Sequence, residues 1–160
     1  CPTTGDCTNG LQDGDELYID CGGSSCEPCE GAIAWKANGQ QFYGDASASA
    51  MMDGTSIAIA GVSVTTAQIG FIMAEPATGW VNGVVIPMNL ATAPGTAGAY
   101  EAIGAAETYA TSNGGNITME LTYVVSGSGG YITGTFSGNM QSTAGAGVTI
   151  SQGNFAIPIN

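Results

Sequence analysis

From Ala32 to Asn160 the chain is cut into short β-prone runs by Gly, Asn, Asp and Ser at regular intervals. No stretch carries a 3.6-residue apolar period over the ten or more residues of a helix. AIAWKA (32–37) leads into Asn38-Gly39, whose tolerance of positive φ makes it a strong hairpin signal, and QQFYGDA (40–46) follows. ASAMM (48–52) meets Asp53-Gly54 before SIAIAGVSV (56–64). The runs QIGFIMA (68–74), WVNGVVIPM (80–88), GAYEAIG (98–104), ETYAT (107–111) and NITMELTYVV (116–125) come next. YITGTFSGNM (131–140), AGVTIS (146–151) and NFAIPI (154–159) finish the chain. Pro87 cannot donate to a ladder, which places its run at a sheet edge or a strand end. Alternation predicts one buried face from Ile117, Met119, Leu121 and Tyr123, another from Ile132 and Phe136, and a third from Phe155, Ile157 and Ile159. The fold class is therefore all-β, an antiparallel β-sandwich over residues 31–160, closed over these side chains.

Residues 1–30 read differently. Cys7, Cys21, Cys26 and Cys29 crowd into a stretch whose bulky apolar residues are only Leu11, Leu17, Tyr18 and Ile19. That is too little for a core, so the reading is a short acidic, disulfide-stapled, Cys-rich head. Four close cysteines in a Gly/Ser/Thr-rich chain point to an oxidising, extracellular compartment, and they allow three pairings. The fifth, Cys1, reads as a lipid anchor, as in a bacterial lipoprotein attached to the outer surface; a partner in another chain is the alternative. No run of 18 apolar residues is present to span a bilayer.

Charge narrows the function classes. Only 9% of residues are charged, against roughly 25% in an average domain, and the formal net charge is −12 with Lys36 as the sole basic residue. Displacing counterions from a nucleic acid needs cationic groups, so nucleic acid is not a partner. With no His, neither a Ser-His-Asp nor a Cys-His mechanism can be assembled, and no phosphate-binding or dinucleotide motif is present. Glu101 with Glu107 or Glu120 could form a glycosidase pair, but scattered strand carboxylates usually face solvent, and the reading is that the protein is not an enzyme. Trp35, Trp80, Tyr43 and Tyr100 could form a sugar-stacking platform or simply fill the core.

Asp6, Asp13, Asp15, Glu16, Asp20, Glu27 and Glu30 all lie in the head. Asn9, Asp13, Asp15, Glu16 and Asp20 offer oxygen ligands suited to Ca²⁺, a hard cation that takes six to eight of them. The EF-hand pattern fails, with Leu17 in a ligand position and Ser24 where the bidentate Glu belongs. A solvated acidic loop and a Cys₄ zinc site remain the other readings.

The head, CTNGLQDGDELYIDCGGSSCEPC, resembles a cysteine-rich module of secreted and surface proteins of Bacteroidota and myxobacteria. The remainder resembles an uncharacterised family of Bacteroidota β-sandwich lipoproteins in its opening strand (Ala32–Gly39), its PGTAGAY (Pro94–Tyr100) and its closing GTFS…VTISQGNFAIPI (Gly134–Ile159). The resemblance implies an exported, surface-attached protein and no known activity. Two functions fit. One is a structural subunit that self-assembles with copies of itself into an extracellular filament, tube or sheath. Its support is the charge-poor exterior, with the C-terminal strand of Phe155, Ile157 and Ile159 as the contact to a neighbour. The other is a monomeric surface lipoprotein that binds glycan or another extracellular ligand.

Overall fold

A computed structural model of the protein describes residues 7–11, 32–44, 48–53, 55–63, 67–89, 93–102, 107–125 and 129–160. Turn chemistry and alternation set the elements. The strands are β1 (Ala32–Ala37), β2 (Gln40–Tyr43), β3 (Ser49–Asp53), β4 (Ser56–Ser63), β5 (Ala67–Ala74), β6 (Val84–Met88), β7 (Ala97–Ala102), β8 (Thr108–Ala110), β9 (Asn116–Val125), β10 (Tyr131–Ser142) and β11 (Gly147–Pro158). Asn38 and Gly39 both adopt positive φ, 49° and 85°, so the β1–β2 hairpin forms where the dipeptide predicts it. Asn38 also docks this turn on β11: its N–H donates to the Thr149 carbonyl, and its Oδ1 accepts from the Thr149 N–H, each at 2.9 Å.

Every ladder between the strands is antiparallel, and the eleven strands form one sheet that curls into a half-barrel. The two layers expected of a sandwich are the two limbs of this sheet. The first limb runs β2-β1-β11-β10-β9-β6, and the second runs β8-β7-β5-β4-β3. They join where the end of β10 leaves β9 and pairs with β8, through Gln141 with Ala110 and Ser142 with Tyr109.

Apolar side chains from both limbs close the interior. Phe71 of β5 meets Phe136 of β10 at 4.7 Å and 61°, the edge-to-face geometry that the ring quadrupoles favour. Trp35 stacks on Phe42 at 5.6 Å, and Phe42 reaches Tyr100 of the second limb at 6.2 Å. The far edge is tied as well: Ala50 of β3 bridges Ile159 in parallel, and the Asn160 N–H donates to the Ala50 carbonyl at 3.1 Å.

Two bulges shape the first limb and correct the sequence reading. AGVTIS and NFAIPI belong to the single strand β11, because Trp35 alone opposes Gln152 and Gly153, with Ala34 paired to Asn154 and Lys36 to Ser151. Gln152 takes φ 49° there, so the SQG segment bends the strand without ending it. On β9, Leu121 pairs with Gly134 and Tyr123 with Thr133, leaving Thr122 extra. The inserted residue flips the alternation: Ile117, Met119 and Leu121 are fully buried as expected, but Tyr123 turns outward and is 48% exposed, while Val124 packs on the core.

Candidate functional site

The outer face of the second limb is built from the residues that alternate with its core positions. Ile57, Ile59, Phe71 and Met73 point inward, which sends Ala58, Ala60, Gly70 and Ile72 to the other side. Strand register lines these up in two rows. Ser49, Ala60, Gly70, Ala99 and Ala110 are successive neighbours across β3, β4, β5, β7 and β8, and Met51, Ala58, Ile72 and Ala97 form the parallel row. Neither row holds an ionisable group. Met51 (64% exposed) and Ile72 (52% exposed) stand above the small residues and bound a shallow, mostly apolar depression of about 540 Å³. Asp53 and the Glu101–Gln68 hydrogen-bonded pair, at 2.8 Å, lie beyond the rows. A second apolar surface lies on the opposite limb, at the β6–β9 rim. Val81, Val85, Tyr123 and Val125 are exposed there, with the exposed Glu120 beside Val85 as its cross-strand partner, and the rim is fastened by the Val124 N–H donating to Asn82 Oδ1 at 2.9 Å.

The outer face of the first limb is polar. Tyr43, Ala34, Asn154, Thr135 and Glu120 follow one another across β2, β1, β11, β10 and β9. They line a groove of about 850 Å³, bordered by Gly10 and Leu11. The Gln152 bulge lies in this groove. Gln41 is held there by its own amide, whose Nε2 donates to the carbonyls of Trp35 and Phe42 at 3.1 Å each. Asn154 Oδ1 is buried without a hydrogen-bond donor.

The fates of the predicted residues differ. Phe155, Ile157 and Ile159 are buried in the protein's own core. Their strand is flanked by β1 and β10, and Ile159 is bridged to Ala50, so β11 is not a free edge that could pair with a neighbour. Trp35 and Tyr100 are core residues, and Trp80 packs against the core, so of the four candidate stacking aromatics Tyr43 is the one that stands exposed in a groove. Glu101 and Glu120 sit on the outer faces of opposite limbs and do not form a pair. Burial and the neighbouring Tyr109 raise the Tyr100 hydroxyl above its ordinary value of 10.0. Tyr109 is raised too, by desolvation first and then by the hydrogen bond and charge of Glu107.

Of the proposed cation ligands, Asn9 is described, and its Oδ1 accepts the Leu11 N–H at 2.8 Å. Asp13, Asp15, Glu16 and Asp20 lie outside the described residues, as do Cys1, Cys21, Cys26 and Cys29. Cys7 is disulfide-bonded. Among the described residues no cluster of three or more His, Cys, Asp or Glu could hold a metal ion. The small-residue face escaped the sequence reading although its signal was present, as Ile-Ala alternation in SIAIAG and Ala-x-Ala in AGAY. No family model, curated protein or solved structure matches this chain.

Proposed function

We propose that this is an exported cell-surface structural protein whose subunits assemble with copies of themselves into an extracellular filament, tube or sheath. The observation that carries the reading is the pair of uncharged rows on the second limb. A chain of net charge −12 repels its own copies, and the repulsion is reduced where a surface carries no carboxylate, as on these two rows. Side chains as small as Gly, Ala and Ser let a neighbouring surface approach the backbone closely. The Val81, Val85, Tyr123 and Val125 rim supplies the larger apolar groups to fill the depression between Met51 and Ile72. Two unlike surfaces on opposite limbs make a head-to-tail contact, the kind that propagates when its rotation does not close. The contact is between faces and not between strand edges. β2 and β6 are four and five residues long, β6 carries Pro87, and the outer edge of β3 is met by the chain's own C-terminal residues. The acidic, Cys-rich head, with Ca²⁺ as its ligand, belongs to the same reading.

Negative-stain electron microscopy at neutral pH in Ca²⁺ tests this. Regular filaments or tubes are expected from the unmodified protein. Ala58→Glu and Ala99→Glu, each placing a carboxylate on the face, are expected to give dispersed particles with an unchanged melting temperature. Dispersed particles from the unmodified protein, confirmed by sedimentation velocity, overturn the proposal. Repeating the experiment in chelator tests the cation separately.

A further inference from the structure

The six methionines are divided unevenly between core and surface. Met73, Met88, Met119 and Met140 are fully buried in the core. Met51 and Met52 are consecutive on β3, so alternation sends them to opposite faces: Met52 packs against the core and Met51 stands outside. Across the ladder Met51 faces Ala58, whose single methyl group cannot cover a thioether, and it lines the apolar depression on the second limb. We propose that Met51 is the methionine that hydrogen peroxide oxidises, and that its sulfoxide switches off the assembly contact.

The thioether sulfur attacks one peroxide oxygen; the S–O bond forms as the O–O bond breaks, and the other oxygen leaves as water. Sulfur loses two electrons and peroxide gains them, so no further reactant is needed. The buried methionines meet peroxide only when the sheet opens, whereas the Met51 side chain is open to solvent in the folded chain. Oxidation there leaves the core untouched and changes the face. A flexible apolar side chain becomes a polar, chiral one whose oxygen accepts hydrogen bonds. The effect on assembly rests on the head-to-tail contact proposed above, in which the rim of Val81, Val85, Tyr123 and Val125 fills the depression. Three of those four side chains are valines, which offer no donor, so closing the contact strips water from the sulfoxide oxygen with little to replace it. The rim covers Met51 once the contact has formed, so the oxidation acts on free subunits. Methionine sulfoxide reductases reverse it.

Peptide mapping by mass spectrometry, on unassembled protein treated with hydrogen peroxide, identifies the site. Sulfoxide is expected at Met51 before Met52, and about tenfold or more faster than at Met73, Met88, Met119 and Met140, with the melting temperature unchanged. Another methionine reacting as fast as Met51 overturns the assignment. Sedimentation velocity and electron microscopy of the singly oxidised protein read the consequence. The protein concentration needed for filaments is expected to rise by about tenfold or more, and treatment with sulfoxide reductase to restore it. Met51→Leu keeps an apolar wall without the oxidisable sulfur and is expected to assemble equally with and without peroxide. Unchanged assembly of the oxidised protein, or peroxide-sensitive assembly of Met51→Leu, overturns the switch. Dispersed particles from the unoxidised protein overturn the assembly reading and the switch with it, while the order of methionine reactivity decides the oxidation site independently.

Discussion

At Tyr100 a polar group sits where the chain needs an apolar one. The ring links Phe42 of the first limb to Tyr109 of the second, with centroids 6.2 and 6.1 Å away, and the residue is 5% exposed. Burial disfavours the phenolate, so the hydroxyl holds its proton to a higher pH in the folded chain than in the unfolded one. A raised folded-state value means stabilisation that is complete below pH 10 and lost as pH rises through the folded-state value. Melting temperature followed from pH 8 to 12 is therefore expected to fall above pH 10, and Tyr100→Phe is expected to fall less steeply. Parallel curves would show that this hydroxyl contributes nothing to the alkaline loss. Sequence showed Tyr100 as one of several aromatics of undecided role. Its burial could be read only once β2 and β7 were placed opposite each other, because alternation within a strand says that two faces differ and not which one meets the other limb.

Among the elements, β11 shows what a single residue controls. Gln152 is the extra residue that keeps Phe155, Ile157 and Ile159 facing the core while Val148 and Ile150, on the other side of the bulge, also face it. Because side chains alternate with a period of two, deleting Gln152 rotates one half of the strand by a full face. The deletion is expected to abolish a cooperative unfolding transition by circular dichroism. A variant that still unfolds cooperatively would show that the strand can re-register. The strands themselves were largely legible in the sequence: β1, β9 and the β1–β2 turn stand where alternation and Asn38-Gly39 put them. The bulges were not. Ser151-Gln152-Gly153 is as good a breaker as it is a bulge, and Thr122 carries no local mark, because an extra residue is defined only by the partner strand it fails to match.

For the whole molecule, closure of the half-barrel depends on close approach between its limbs. Ile33, fully buried on β1, lies against Gly61 of β4 and Gly44, and a Cβ at Gly61 would overlap the Ile33 Cγ2 methyl. That methyl is fixed near the backbone of a β-branched residue and cannot swing aside cheaply. Gly61→Ala is expected to cost about 1–3 kcal/mol by urea denaturation. Gly147→Ala, where a Cβ meets open space, is the control and is expected to be neutral or slightly stabilising. Equal stability of the two variants would mean that the limbs can separate without cost. The same closure explains why the C-terminal strand cannot join a neighbour: β11 is already paired on both edges and sealed to β3 through Ile159 and Asn160.

By itself, the sequence determined the all-β class, most strand positions, the principal turns and the charge-poor exterior. Each of these follows from local backbone preference, from period-two alternation or from composition, and none needs a distant partner. Only the tertiary structure decided that β11 is interior, that Tyr123 faces out, and that Ala58, Ala60, Gly70 and Ala99 share one flat face. It likewise brought Gln41, Tyr43, Glu120 and Asn154 to a common groove. These depend on which strands lie side by side and in what register, and residues more than a hundred positions apart, such as Ala34 and Asn154, become neighbours only when the ladder between them forms.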